Sequence, residues 1–322
     1  MIRRSLLTEP IANGVVVLGM SSIIALLCGC STAPTASKEA SNQSTFATPE
    51  RAVQALASAA KNEDKEELLA IFGPESRDLL SSGDPVADRH NREVFSVAME
   101  QQWKLENVND RYQELVIGNE EWPFPIPLVK ERAGWRFDTA AGKQEVLARR
   151  IGRNELAAIS ICRTYVIAQK EYASQGHDGK PAGIYAQKVR STPGKQDGLY
   201  WDVTEPGGQA SPLSELAAQA EKAGYSRETQ PKQRPFYGYF FRILTQQGPD
   251  APGEAKNYIV NGELKNGFAL LACPAEYGNS GIMSFIVNQE GIIYERDLGS
   301  ETAQWAAKIQ EYNPDTNWNP AE

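Results

Sequence analysis

The hydrophobic period of the chain changes at Tyr112, and that change commits it to helices followed by strands. Upstream, Val53, Leu56, Ala57 and Ala60 recur at helical spacing behind Thr48-Pro49-Glu50. That triplet supplies a hydroxyl N-cap, a proline at the first helical position and an acid in the first turn. A second helix carries Leu68, Leu69 and Phe72 and stops at Gly73-Pro74; a third opens at Asp84-Pro85 with Val94, Val97 and Ala98 on one side. From Tyr112, alternation predicts three strands: Tyr112 to Ile117, Trp122 to Val129 and Trp135 to Phe137. Pro123, Pro125 and Pro127 fall on alternate positions of the middle one. Proline brings no N–H to a ladder, so this run belongs at a sheet edge or on an irregular path.

Helical spacing returns from Lys143 to Ala173, with Leu156, Ile159, Cys162, Tyr165 and Gln169 as one stripe. Ser211-Pro212 starts a shorter helix with Leu213, Leu216, Ala217 and Ala220 inward and Gly224 as its stop. Tyr237, Tyr239, Phe241 and Ile243 then alternate with Gly238, Phe240, Arg242 and Leu244; both rows are largely apolar, which predicts a central strand. Asn257 to Val260, Phe268 to Cys273, Met283 to Val287 and Ile292 to Arg296 complete an antiparallel set. Asn288-Gln289-Glu290-Gly291 makes a hairpin turn, and a helix from Ser300 to Tyr312 closes the chain. The fold class is α+β in two parts: helices plus a curved antiparallel sheet over 48–150, and a long helix plus an antiparallel sheet over 151–322. The first part resembles the nuclear transport factor 2-like cone, at the level of fold alone.

The N-terminus has a different character. Arg3 and Arg4 precede an apolar stretch of thirteen residues, Val15 to Leu27. A membrane-spanning helix needs ~20 residues to cross ~30 Å of hydrocarbon, so this stretch reads as a signal-peptide core. It ends in Leu27-Cys28-Gly29-Cys30, which resembles the bacterial lipobox; an uncleaved anchor is the alternative. The resemblance implies cleavage of a signal peptide over 1–29, diacylglycerol and palmitate on Cys30, and a lipid-anchored protein of the cell envelope. Ser31 and Thr32 follow, with no retention-type Asp, which implies the outer membrane facing the periplasm. Residues 30–47 are small and polar, hence a flexible tether with a reach of roughly 20–25 Å.

Seven motifs carry a further resemblance. They are Ser81-Ser82-Gly83-Asp84-Pro85-Val86-Ala87-Asp88, Trp122-Pro123-Phe124-Pro125-Ile126-Pro127-Leu128-Val129, and Gly134-Trp135-Arg136-Phe137-Asp138-Thr139-Ala140-Ala141-Gly142-Lys143. The others are Arg150-Ile151-Gly152-Arg153-Asn154-Glu155, Ser191-Thr192-Pro193-Gly194-Lys195, Tyr239-Phe240-Phe241-Arg242-Ile243-Leu244-Thr245 and Pro274-Ala275-Glu276-Tyr277-Gly278. Together they resemble the bacterial family catalogued as domain of unknown function 2950, from about Phe46 to Trp318. That resemblance implies no activity. The helix ending Glu171-Tyr172-Ala173 and the Ser280 to Ile293 sheet end also resemble the globular head of type IV pilin-like proteins, without a pilin's processing site or assembly helix.

Chemistry-bearing residues are sparse. A net charge of −8 opposes nucleic acid, whose phosphates need a basic footprint. No zinc spacing and no phosphate-cradling glycine loop occurs, so no metal or other cofactor is expected. His90 lies mid-helix among charged neighbours, Glu120-Glu121 reads as a wet turn, and His177-Asp178-Gly179 as a loop tip with too few oxygens for calcium. Cys162 and Cys273 sit in apolar surroundings, as two buried thiols or one bridge. Trp201, Tyr237 and Tyr239 are either sheet core or the wall of a ligand groove. Arg242, a charge within an apolar strand, requires a structural partner or an anionic ligand. The reading is a non-enzymatic envelope protein that binds an envelope protein partner or helps an assembly. The alternative is a small-molecule binding module using a cavity of the N-terminal domain, and the third is an enzyme whose site is assembled from scattered residues.

Overall fold

In a computed structural model, which describes residues 43–203, 208–225 and 234–321, α1 (Pro49–Lys61) begins where its N-cap signal places it. Thr48 Oγ1 accepts from the Arg51 N–H at 3.3 Å. The buried face of α1, including Val53, Leu56 and Ala60, packs against α2 (Lys65–Phe72), which Asp64 caps and Gly73 stops at φ +87°. A 3-10 turn and the single helical turn α3 (Arg77–Leu80) lead to α4 (Pro85–Gln101). Asp84 caps α4: its Oδ1 accepts from the Val86 and Ala87 N–H groups at 3.1 and 3.2 Å. The face of α4 departs from expectation. Val94 and Val97 are each 55 % exposed, whereas Phe95 and Met99 turn toward the core. The inward row also contains Asp88, Asn91 and Arg92, so an apolar count selects the opposite side.

Five strands form the first sheet: β1 (Trp103–Asn107), β2 (Tyr112–Ile117), β3 (Trp122–Pro123), β4 (Leu128–Glu131) and β5 (Gly134–Phe137). Their order is β1-β2-β4-β5, all antiparallel, with β3 also on β2. β1 was not foreseen because only Trp103 and Leu105 mark it. The run Trp122 to Val129 is broken in two, and Pro125 and Pro127 lie in the gap, as their missing N–H groups require.

Helix α5 (Thr139–Ala173), capped by Asp138, starts four residues ahead of expectation. Its first turns place Val146 and Leu147 against one core, with Leu56, Ile71, Leu115, Leu128 and Phe137. Its later turns place Ile159, Cys162, Tyr165 and Val166 in a second core. Leu156 is 68 % exposed. Steps of three residues drift by about 60° each round a helix of 3.6 per turn, which carries Leu156 off the face of Cys162 and Tyr165. The expected boundary at residue 150 therefore falls inside one continuous helix, and the described residues group as one compact unit.

After α6 (Ser214–Lys222), which begins three residues later than expected, come β6 (Tyr239–Leu244), β7 (Gln246–Gln247), β8 (Lys256–Asn257), β9 (Ile259–Val260) and β10 (Glu263–Leu264). Then follow β11 (Ala269–Pro274), β12 (Met283–Asn288), β13 (Ile293–Asp297), α7 (Thr302–Lys308) and β14 (Asn319–Pro320). The second sheet is ordered β14-β13-β12-β11-β6. β6 is thus an edge strand, not a central one, and pairs with β11 alone. Its second row is apolar because α7 covers that side, reached by Arg242, which donates to the Ala306 carbonyl at 2.6 Å and to that of Ile309. Asn257 to Val260 stays outside this sheet, in two-residue ladders of β7 with β8 and β9 with β10; Asn261 and Gly262, both at positive φ, turn the chain there. Together these elements make the α+β class expected, and among the described residues no helix is long and apolar enough to cross a membrane.

A polar junction ties the two cores. Arg150 donates to the Asp78 carbonyl at 2.7 Å, to the Leu79 carbonyl and to Asn279 Oδ1. Asn279 Nδ2 donates to the Ser81 carbonyl at 2.9 Å, and Asn154 Nδ2 to that of Ser280 at 2.9 Å. Asp84 Oδ2 completes it, accepting from the Tyr225 hydroxyl at 2.7 Å and the Gly238 N–H at 3.0 Å. Burial and the adjacent Asp84 carboxyl push the Tyr225 hydroxyl well above the usual tyrosine range, so it stays a donor.

Candidate functional site

The residues singled out in the sequence take up separate posts. Tyr239 is fully buried and donates to the Met283 carbonyl at 2.9 Å, its ring leaving room at Gly281 for no Cβ. Tyr237, at φ +50°, packs against Tyr225 and Phe236 and donates its N–H to the Tyr225 hydroxyl at 2.9 Å. Trp201 donates to the Gln209 carbonyl at 3.0 Å and lies 5.5 Å from the His177 ring. Arg242 serves the last carbonyls of α7, where a cation is favourable. None of the four lines either of the cavities below.

His177 departs from the expected loop tip. The turn exists, at Asp178-Gly179, but the imidazole folds back to 6 % exposure and stacks on Tyr172 at 4.1 Å. Its nitrogens lie 3.0 Å from the Tyr172 carbonyl and 3.3 Å from Gln196 Oε1. His90 is half-buried on α4, and Glu121 pairs with Lys104 at 2.8 Å in the exposed turn expected for it. Cys162 and Cys273 are free thiols. Burial pushes Cys162 up to about 12 and raises Cys273, so neither offers a thiolate at neutral pH. Among the described residues no three His, Cys, Asp or Glu are grouped to hold a metal ion.

Two concavities stand out among the described residues. One, about 360 Å³, is a groove beside α7. Lys308 sits 4.8 Å over the Trp305 ring there, and Arg296 is 4.0 Å from Asp315. The other, about 210 Å³, opens in the first core and is walled by Leu56, Leu68, Phe72, Phe95, Phe124 and Ile126. Its aromatic wall is continuous: Phe124 stands 5.5 Å from Phe95, 6.3 Å from Phe72 and 6.4 Å from Trp122. Lys65, Asp88, Arg92 and Arg150 add the charge. An apolar enclosure with a few convergent polar groups is the usual form of a small-molecule site.

The local sequence explains the opening. The proline-broken stretch between β3 and β4 cannot complete its ladder, which leaves Phe124, Pro125 and Ile126 to form a wall. The polar row of α4 supplies Asp88, Asn91 and Arg92 beside Phe95. Sequence reasoning missed Arg92, Phe95 and Phe124 as site residues. The signal was the spacing Asp88, Arg92, Phe95, Met99, a helical row whose polar members hid it.

The sequence profile of a family described as Protein of unknown function (DUF2950) matches residues 43–321. No curated protein and no solved structure matches the chain.

Proposed function

As the chain belongs to the DUF2950 family, whose description assigns no activity, we propose its function from the geometry: a lipid-anchored envelope protein that binds a small apolar ligand without transforming it. The apolar pocket of the first core carries this reading, because it is open and aromatic-walled, and among the described residues no metal-holding set is grouped there. The Leu27-Cys28-Gly29-Cys30 sequence supports acylation at Cys30, with the outer membrane, periplasmic face, as its place. Residues 1–42 lie outside the described residues. A protein partner is the second reading, favoured by Leu156 and Ile167, both more than 60 % exposed on α5.

Two experiments test the proposal. Cys30→Ser in the full-length chain is expected to move the protein from the membrane to the soluble fraction and to abolish incorporation of labelled palmitate. A wild-type chain that keeps Met1 and carries no acyl group overturns the anchor. For the pocket, 1-octanol is expected to raise the thermal midpoint of the purified protein; a ligand present at 100 times its Kd adds about 2.7 kcal/mol of stability. No shift at any soluble concentration removes the pocket as a binding site.

A further inference from the structure

The pocket has a polarity of its own. Arg92 Nε is shielded from solvent and has no hydrogen-bond partner. A buried donor left unpaired is unfavourable, more so when the group is charged, so an acceptor brought to it is favoured. The pocket's one acid does not neutralise it. Asp88 Oδ1 and Oδ2 accept from the Ser82 N–H at 3.2 and 3.0 Å, and Oδ1 accepts from the Ser82 hydroxyl at 2.6 Å. Arg150 is equally engaged, with its guanidinium spent on the carbonyls of Asp78 and Leu79 and on Asn279. Of the two arginines on the pocket wall, Arg92 is therefore the one with bonding capacity to spare, while Lys65 lies exposed at the rim.

The surroundings point the same way. The protein carries a net charge of −8, yet Lys65, Arg92 and Arg150 line this cavity. Arg149, 5.3 Å over the ring of the lining residue Trp122, is paired with Glu145 at 2.6 Å and adds no net charge. A basic mouth on an acidic protein selects anions and repels cations. Volume sets the size of the body: a 150 Å³ cavity takes benzene, so 210 Å³ takes about eight non-hydrogen atoms.

We propose that the pocket binds a small anionic amphiphile, an acyl or aryl carboxylate whose apolar body of about eight non-hydrogen atoms lies against Phe95 and Phe124 and whose head accepts from Arg92. The proposal rests on the pocket being a binding site and adds the charge and class of its occupant. Octanoate and 1-octanol share a chain length and differ in the head, so calorimetric titration with both separates the two claims. Octanoate is expected to bind wild-type protein about tenfold more tightly than 1-octanol, the value of one charge-assisted hydrogen bond. Arg92→Ala, and Arg92→Gln which keeps the stem, are expected to bring octanoate down to the level of 1-octanol and to leave 1-octanol unchanged. Equal binding of both probes, unaffected by either Arg92 variant, overturns the anionic class and leaves the apolar site standing. Failure of both probes to bind overturns the site itself.

Discussion

Asp84→Ala is expected to lower the unfolding free energy by about 3–5 kcal/mol, a large share of the 5–15 kcal/mol typical of a folded domain. Four donors converge on this one side chain, which is 1 % exposed. Oδ1 holds the first turn of α4 through Val86 and Ala87, a cap whose loss alone costs about 0.5–2 kcal/mol. Oδ2 holds the Tyr225 hydroxyl and the buried Gly238 N–H, so truncation leaves two further donors without their acceptor. The loss should spread, because Tyr225 in turn accepts from the Tyr237 N–H. Asp84→Asn separates the parts: its amide oxygen still caps α4, while its NH₂ faces two donors, so a loss of about 1–2 kcal/mol is expected. Urea unfolding of the three proteins reads the difference. An alanine variant within about 1 kcal/mol of wild type would mean that the junction carries no net stability.

That hub was half legible in the sequence. Asp84-Pro85 announces a capped helix because capping is a local matter, settled within four residues. What Oδ2 does was not legible, since its partners lie 141 and 154 residues away. The same division runs through the fold. Helix starts at Thr48 and Asp84, the stop at Gly73 and the proline break after β3 follow from local stereochemistry, and each stands where expected. The placement of β6 at an edge did not, because two apolar rows describe a strand covered on both faces without saying whether it is paired on both sides. Arg242 shows the intermediate case. Its need for a partner follows from charge in an apolar strand, but that the partner is the end of α7 depends on tertiary packing. The pocket was the least visible feature. Its α4 wall is a polar row, Asp88, Asn91 and Arg92, and periodicity analysis discards polar rows as solvent-facing.

The glycines of α5 are expected to respond to alanine with opposite signs. Helix propensity alone makes both substitutions favourable by up to about 1 kcal/mol. At Gly152 nothing lies within 4 Å of the added Cβ, so Gly152→Ala should gain most of that amount. At Gly142 the Cβ would stand 2.5 Å from the Pro125 carbonyl oxygen and 2.7 Å from Ile126 Cα. These are backbone atoms, which no rotamer change can move aside, and overpacking of this kind costs typically 1–3 kcal/mol, here against a gain of about 1. Gly142→Ala should therefore destabilise by about 1 kcal/mol, up to about 2, and Gly142→Val by more. The penalty has a functional edge. Pro125 and Ile126 are pocket wall, so a chain that relieves the clash by displacing them distorts the cavity and should lose affinity for 1-octanol as well as stability. Thermal melts of the two alanine variants, with and without 1-octanol, check both halves. If Gly142→Ala melts at or above the wild-type temperature and still binds the probe, the close seating of α5 on the proline-broken segment is not what holds the pocket in shape.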